Sequence, residues 1–80
     1  MLKLYTYPTC PYCEKVRDAF SAMDLTYEEI NAERDTDGSL ELMRLGGKQQ
    51  VPFLVDEEND VKMYESDDII AYARGRFETN

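Results

Sequence analysis

Histidine is absent from this chain, and cysteine occurs only twice in 80 residues. The first absence removes Cys-His nucleophilic hydrolysis, which needs an imidazole to take up the thiol proton. Together the two shortages exclude a structural zinc site within one chain, since such sites want four Cys or His ligands. A zinc ion or iron-sulfur cluster bridging two subunits stays open. Basic residues are also scarce, nine against 17 acidic for a formal net charge of -8, and no Lys/Arg cluster interrupts the acidic field. A phosphate backbone or an anionic lipid surface is repelled by such a field, so the expectation is a soluble monomer with neither nucleic-acid nor membrane partners. No apolar run approaches the roughly 20 residues that span a bilayer. Met1-Leu2-Lys3-Leu4-Tyr5 leads straight into a strand-like pattern, without the regions of a secretory signal. The expected location is the cytoplasm, where paired cysteines are more often redox-active or metal-binding than static staples. Repeats, low-complexity tracts and linkers are lacking as well, and residues 1–80 read as one domain.

What is present suffices for one packed core, at 42% hydrophobic and 11% aromatic residues. A chain this short buries only roughly 60% of its unfolded surface, so an active site has to be built on the core elements themselves. Leu2 to Tyr7 alternates Leu2/Leu4 with Lys3/Tyr5 and reads as a strand ending at Pro8. Pro11 suits the first turn of a helix, where its missing N–H has no intrahelical partner. That helix carries Val16, Ala19, Phe20 and Met23 on one side and Glu14, Lys15, Arg17 and Asp18 on the other. Leu25 to Ile30 reads as a second strand and Asn31 to Gly38 as a polar loop. A helix from about Ser39 through Leu45 stops at Gly46-Gly47. Val51 to Val55 reads as a third strand, residues 56–60 as a hairpin turn and Val61 to Tyr64 as the return strand. Ser66 opens the last helix as an N-cap, followed by Asp67 and Asp68, with Ile69, Ile70 and Ala73 buried. The order β-α-β-α-β-β-α predicts an α/β fold with a four-stranded mixed sheet, its first two strands parallel and its last two a meander.

Cys10 and Cys13 stand three residues apart where the first helix starts, a spacing that lets a disulfide open and close with little backbone movement. A static staple closing so short a loop would constrain almost nothing. Cys10, just outside the helix, is the expected nucleophile, its thiolate favoured by the free N–H groups and the dipole of the helix N-terminus. Cys13, one turn inside, is the expected resolving thiol, and Tyr12 between them is expected at the solvent-facing rim.

Tyr5-Thr6-Tyr7-Pro8-Thr9-Cys10-Pro11-Tyr12-Cys13, Val51-Pro52 and Ser66-Asp67-Asp68, in this order and spacing, resemble a dithiol glutaredoxin over nearly the whole chain. The resemblance implies a thioredoxin-like fold and a glutathione-disulfide oxidoreductase with no tightly bound cofactor and glutathione as co-substrate. It implies reduction potentials of roughly -200 to -230 mV, and glutathionylated or disulfide-bearing proteins as partners. It further implies a cis Val51-Pro52 peptide beside the cysteines, leaving the Val51 backbone free to pair with an extended peptide thiol. Pro52 opening an edge strand in trans is the plainer alternative. By the same resemblance Ser66 and Asp67 hold the γ-glutamyl end of glutathione, with the helix N–H groups on its carboxylate and Asp67 on its ammonium. Lys48 would meet its glycyl carboxylate and Tyr12 would border it. Helix capping by itself also accounts for Ser66 and Asp67. Two positions depart from the pattern. Tyr7 stands where the family often has a basic residue, and Met63-Tyr64-Glu65 replaces a late Gly-Gly. Glu65-Ser66 resembles instead the N-terminal domain of glutathione transferases. Two other functions follow from these departures and from the metal question: a redoxin reduced by a flavoprotein reductase and serving an enzyme such as ribonucleotide reductase, or a cluster-carrying module.

Overall fold

The computed structural model describes residues 2–77; Met1, the first residue of the N-terminal run, lies outside them. Seven elements follow in the expected order: β1 (Leu2–Thr6), α1 (Pro11–Ala22), β2 (Glu28–Asn31), α2 (Asp37–Gly46), β3 (Phe53–Asp56), β4 (Val61–Tyr64) and α3 (Ser66–Phe77). They build one four-stranded sheet in the order β2-β1-β3-β4, with β1 parallel to β2 and antiparallel to β3, and β3 antiparallel to β4. This is the mixed sheet expected from the pattern and the thioredoxin-like arrangement that the resemblance implies. No helix among the described residues is long and apolar enough to cross a membrane.

The period-two alternation of the central strands sorts their side chains onto two cores. Leu2 and Leu4 of β1 and Leu54 of β3 pack with Val16 and Phe20 of α1 and Ile69, Ile70 and Ala73 of α3. Tyr5, Phe53 and Val55 point the other way and pack with Ala32 and Leu42, under α2. Each fully buried aliphatic side chain here contributes on the order of 1.5–3 kcal/mol. Tyr5 keeps a polar handle inside its cluster, its hydroxyl donating to the Glu41 carboxylate. Burial, then this bond, pushes the phenol pKa upward, so that it remains a neutral donor.

Several boundaries differ from the sequence pattern, each for a local reason. The second strand begins at Glu28 rather than Leu25, because residues 23–25 still close α1: the Leu25 N–H bonds back to the Phe20 carbonyl at 3.0 Å and Asp24 turns through φ 57°. Leu25 and Tyr27 pack against the core instead of joining the ladder. Helix α2 begins at Asp37, not Ser39, because Thr36 is its N-cap, its Oγ1 accepting the Ser39 N–H at 3.1 Å. Gly38 therefore lies inside the helix, and the bare backbone matters there: a Cβ would sit 1.9 Å from the Asn31 carbonyl oxygen. Gly47, at φ 84°, is the left-handed C-cap. The third strand begins at Phe53, after Pro52, rather than at Val51. Ser66 is not the N-cap of α3 but its first residue, because the carbonyl of Glu65, held at φ 73°, accepts the Ile69 N–H at 3.0 Å.

Asp56, at the end of β3, is a buried carboxylate, 2% exposed. Burial opposes its charge, but the Tyr72 hydroxyl at 2.6 Å, Asn59 Nδ2 at 2.7 Å and backbone bonds outweigh this and lower its pKa below the ordinary 3.8. A depressed carboxylate contributes stability that is full above the unfolded-state pKa and is lost as pH falls through the folded-state value. Urea midpoints of wild type are therefore expected to drop more steeply below about pH 4 than those of Asp56→Asn. Parallel acid limbs for the two proteins would refute this role.

Candidate active site

β1 delivers the chain to the site, and the turn that follows it and the first turn of α1 carry the two sulfurs. Cys10 is extended, at φ -88° and ψ 118°, and caps α1 with its own side chain, its Sγ accepting the Cys13 N–H at 3.3 Å. Its carbonyl accepts the first intrahelical bond, from the Glu14 N–H at 3.0 Å, and Pro11 follows as the first helical residue. The Cys10 sulfur thus sits where a helix presents uncommitted N–H groups and partial positive charge. Both cysteines are free thiols, Cys10 half-buried and Cys13 fully buried. Burial first, then the adjacent Cys10, pushes the Cys13 thiol up to about 12, against the opposing pull of a backbone hydrogen bond from Tyr7 and the Arg17 charge. The pair is asymmetric, with an accessible sulfur in front and a protonated one a turn behind it. Such an arrangement can carry out two-step thiol exchange.

A cleft of about 430 Å³ opens beside the motif, lined by Tyr12, Gln50, Val51, Pro52, Glu65, Ser66 and Asp67. The Val51-Pro52 peptide is cis. Because β3 starts only at Phe53, the main chain of Val51 lies outside the ladder. Across the cleft stands the first turn of α3, with Ser66, Asp67 and Asp68. Five of the residues singled out in the sequence (Tyr12, Val51, Pro52, Ser66 and Asp67) are therefore brought together on one lining. Tyr12 is 65% exposed, at the rim. Asp67 is paired with Lys15 of α1 on the outer side. Lys48 is not part of this lining: its N–H and carbonyl bond the Tyr64 hydroxyl at 3.2 and 3.0 Å, and its ammonium lies 5.3 Å from the centre of that ring. Among the described residues no group of three or more His, Cys, Asp or Glu is placed to hold a metal ion.

The loop between α2 and β3 is positioned by side chains that a sequence pattern passes over. Gln49 Nε2 donates to the Tyr7 hydroxyl and to the Ala32 carbonyl, both at 2.7 Å, while its Oε1 accepts from Ser39 at 2.5 Å. One amide so ties the approach to Pro52 to the ends of β1 and β2 and to the start of α2. Gly46 allows the same loop to lie close to β4, since a Cβ there would be 2.1 Å from the Tyr64 hydroxyl.

The model of the glutathione S-transferase N-terminal domain matches residues 4–80. The chain belongs to this family. It is 38% identical over 61 residues to mouse prostaglandin E synthase 2, a match covering 74% of this chain and 15% of that protein. It is also similar to an uncharacterized glutaredoxin-like 8.6 kDa protein in the rubredoxin operon of Clostridium pasteurianum, 28% identical over 54 residues, covering 68% of this chain and 72% of the relative. Among solved structures, glutaredoxin 2 of Salmonella typhimurium in complex with glutathione superimposes with a TM-score of 0.76 at 30% identity, covering 91% of this chain and 32% of that one. The chain thus spans well under half the length of the mouse protein and of the Salmonella chain.

Both resemblances seen in the sequence, to glutaredoxins and to the N-terminal domain of glutathione transferases, therefore hold. This chain carries Glu65-Ser66 together with two cysteines at the start of α1. Three side chains of the site escaped the sequence reading. Gln49 and Gln50 look like loop polarity, and Gln50 Nε2 reaches Glu65 at 3.3 Å across the cleft. Arg17 looks like a solvated helix face, yet it turns toward the end of β1. The one legible signal was its position four residues after Cys13, which puts both on neighbouring turns of one face.

Proposed function

We propose that the chain is a glutathione-dependent thiol-disulfide oxidoreductase that reduces protein-glutathione mixed disulfides and protein disulfides. The observation that carries this reading is the asymmetric dithiol at the start of α1, whose intervening Tyr12 also lines the cleft of Val51, Pro52 and the α3 N-terminus. The glutathione bound in the solved Salmonella glutaredoxin 2 supports the choice of co-substrate.

In this reading Cys10 attacks the disulfide and Cys13 or a second glutathione resolves the product. The Val51 main chain pairs with the cysteinyl part of glutathione, the first N–H groups of α3 and the Ser66 hydroxyl receive its γ-glutamyl carboxylate, and Asp67, now paired with Lys15, accepts from its ammonium. A second glutathione carboxylate would have to reach Lys48 from outside the cleft lining.

The test is a disulfide-reduction assay run with two electron donors in parallel, glutathione with glutathione reductase and a flavoprotein thioredoxin reductase with NADPH. Turnover with glutathione, saturating in glutathione, is expected. Turnover with the flavoprotein alone would replace this reading by that of a redoxin, and none with either donor would refute the enzymatic reading altogether.

A further inference from the structure

Three polar side chains meet behind the cysteines. Arg17 Nη2 donates to the Tyr7 carbonyl at 3.0 Å and its Nε to Glu29 of β2 at 2.6 Å. The same Glu29 oxygen accepts from Thr6 Oγ1 at 2.7 Å. Tyr7 is also the residue whose backbone contacts both cysteines, its carbonyl accepting the Cys10 N–H at 3.4 Å and a second backbone bond reaching the Cys13 sulfur. The Arg17 and Glu29 side chains are only 25% and 34% exposed, so solvent screens this arrangement less than a free surface pair.

We propose that Arg17, anchored by Glu29, is a positioning residue for the second half of the reaction: its guanidinium fixes the Tyr7 backbone against the cysteine pair and favours negative charge on Cys13 when that sulfur attacks. The inference rests on the oxidoreductase reading. In the first step the Cys10 thiolate attacks the glutathione sulfur of a mixed disulfide, forming Cys10–glutathione and expelling the protein thiolate. In the second step Cys13 loses its proton to solvent and attacks Cys10. The Cys10–Cys13 disulfide forms, the bond from Cys10 to glutathione breaks, and glutathione leaves as thiolate. The two electrons given up by the dithiol reduce the original disulfide. A buried Cys13 thiol is a poor nucleophile until it ionises, and only this second step needs that charge. Arg17, one turn on from Cys13 and bonded to the Tyr7 carbonyl, adds a positive charge that favours the thiolate against the larger opposing effect of burial.

The experiment is single-turnover rapid quench of the reduced protein with a glutathionylated peptide. Release of peptide thiol reports capture by Cys10, and release of glutathione with appearance of the internal disulfide reports resolution. Arg17→Met is expected to slow resolution about three- to fourfold while leaving capture within about twofold. A tenfold loss of thiolate, of which the higher basicity of the sulfur returns about a factor of three, corresponds to a slowing of this size. Arg17→Lys is expected to recover most of the loss, and Arg17→Met in a Cys13→Ser background to change nothing. Should Arg17→Met not fold, Arg17→Gln, which keeps amide donors for Tyr7 and Glu29 without the charge, carries the same expectation. Resolution unchanged, or capture and resolution slowed alike, would overturn the proposal. Failure of the wild type to capture glutathione at all would instead overturn the oxidoreductase reading beneath it.

Discussion

Cys10→Ser is expected to bring glutathione-coupled reduction down to the uncatalysed rate, whereas Cys13→Ser keeps the deglutathionylation of a mixed disulfide. The difference follows from placement rather than residue type. Cys10 is the half-buried cysteine that caps α1, two residues before Tyr12 of the cleft lining, and so the partially accessible one of the two. Cys13 has no solvent exposure and a thiol pushed up to about 12, chiefly by burial, so at pH 7 it stays protonated. It acts when Cys10 is already joined to a partner and the attack is intramolecular, and a second glutathione can substitute for it with glutathionylated substrates. Iodoacetamide labelling followed by mass spectrometry supplies an independent check at pH 7. Cys10 is expected to be modified and Cys13 spared in the folded protein, with both modified in urea. Equal activity of the two serine variants, or labelling of Cys13 first, would reverse the assigned roles.

The second large effect is expected in the core that carries the site. Phe20 is fully buried between the sheet and α3, meets Tyr27 edge-on at a centroid distance of 5.1 Å, and lies on the same helix as both the motif and Arg17. Phe20→Ala removes a ring and leaves a cavity, a change that costs on the order of 3–5 kcal/mol in well-packed cores. Against a total stability of about 5–15 kcal/mol this is a large fraction, and it corresponds to a fall in Tm on the order of 20 °C for a domain of this size. Thermal and urea unfolding check it. The comparison variant is Leu40→Ala on α2: Leu40 is 72% exposed and its loss is expected to stay within about 0.5 kcal/mol. Similar losses for the two would mean that α1 does not pack as described.

The element order, the sheet pairing and the motif at the start of α1 were legible because they rest on short-range rules: alternation in β1, helical spacing of Val16, Ala19, Phe20 and Met23, a proline suited to a first turn, and glycine at a helix end. The boundaries were less legible where backbone geometry competes with composition. Thr36 caps α2, which begins at Asp37 rather than Ser39, and Glu65 rather than Ser66 precedes α3, because the capping residue is the one whose carbonyl or hydroxyl faces the next turn. Leu25 and Tyr27 look like strand residues and serve as core.

By itself, the sequence determined that two cysteines stand three residues apart at the start of a helix and that the chain lacks the histidine that Cys-His hydrolysis needs. Only the tertiary structure decided which sulfur is reachable and which is held protonated, and that Val51, Pro52, Ser66 and Asp67 share one cleft while Lys48 stacks on Tyr64 outside it. It also revealed Arg17, Glu29 and Gln49 as the scaffold of the site. Ionisation and access depend on burial and on charges brought close by residues far apart in the chain, and a linear pattern encodes neither.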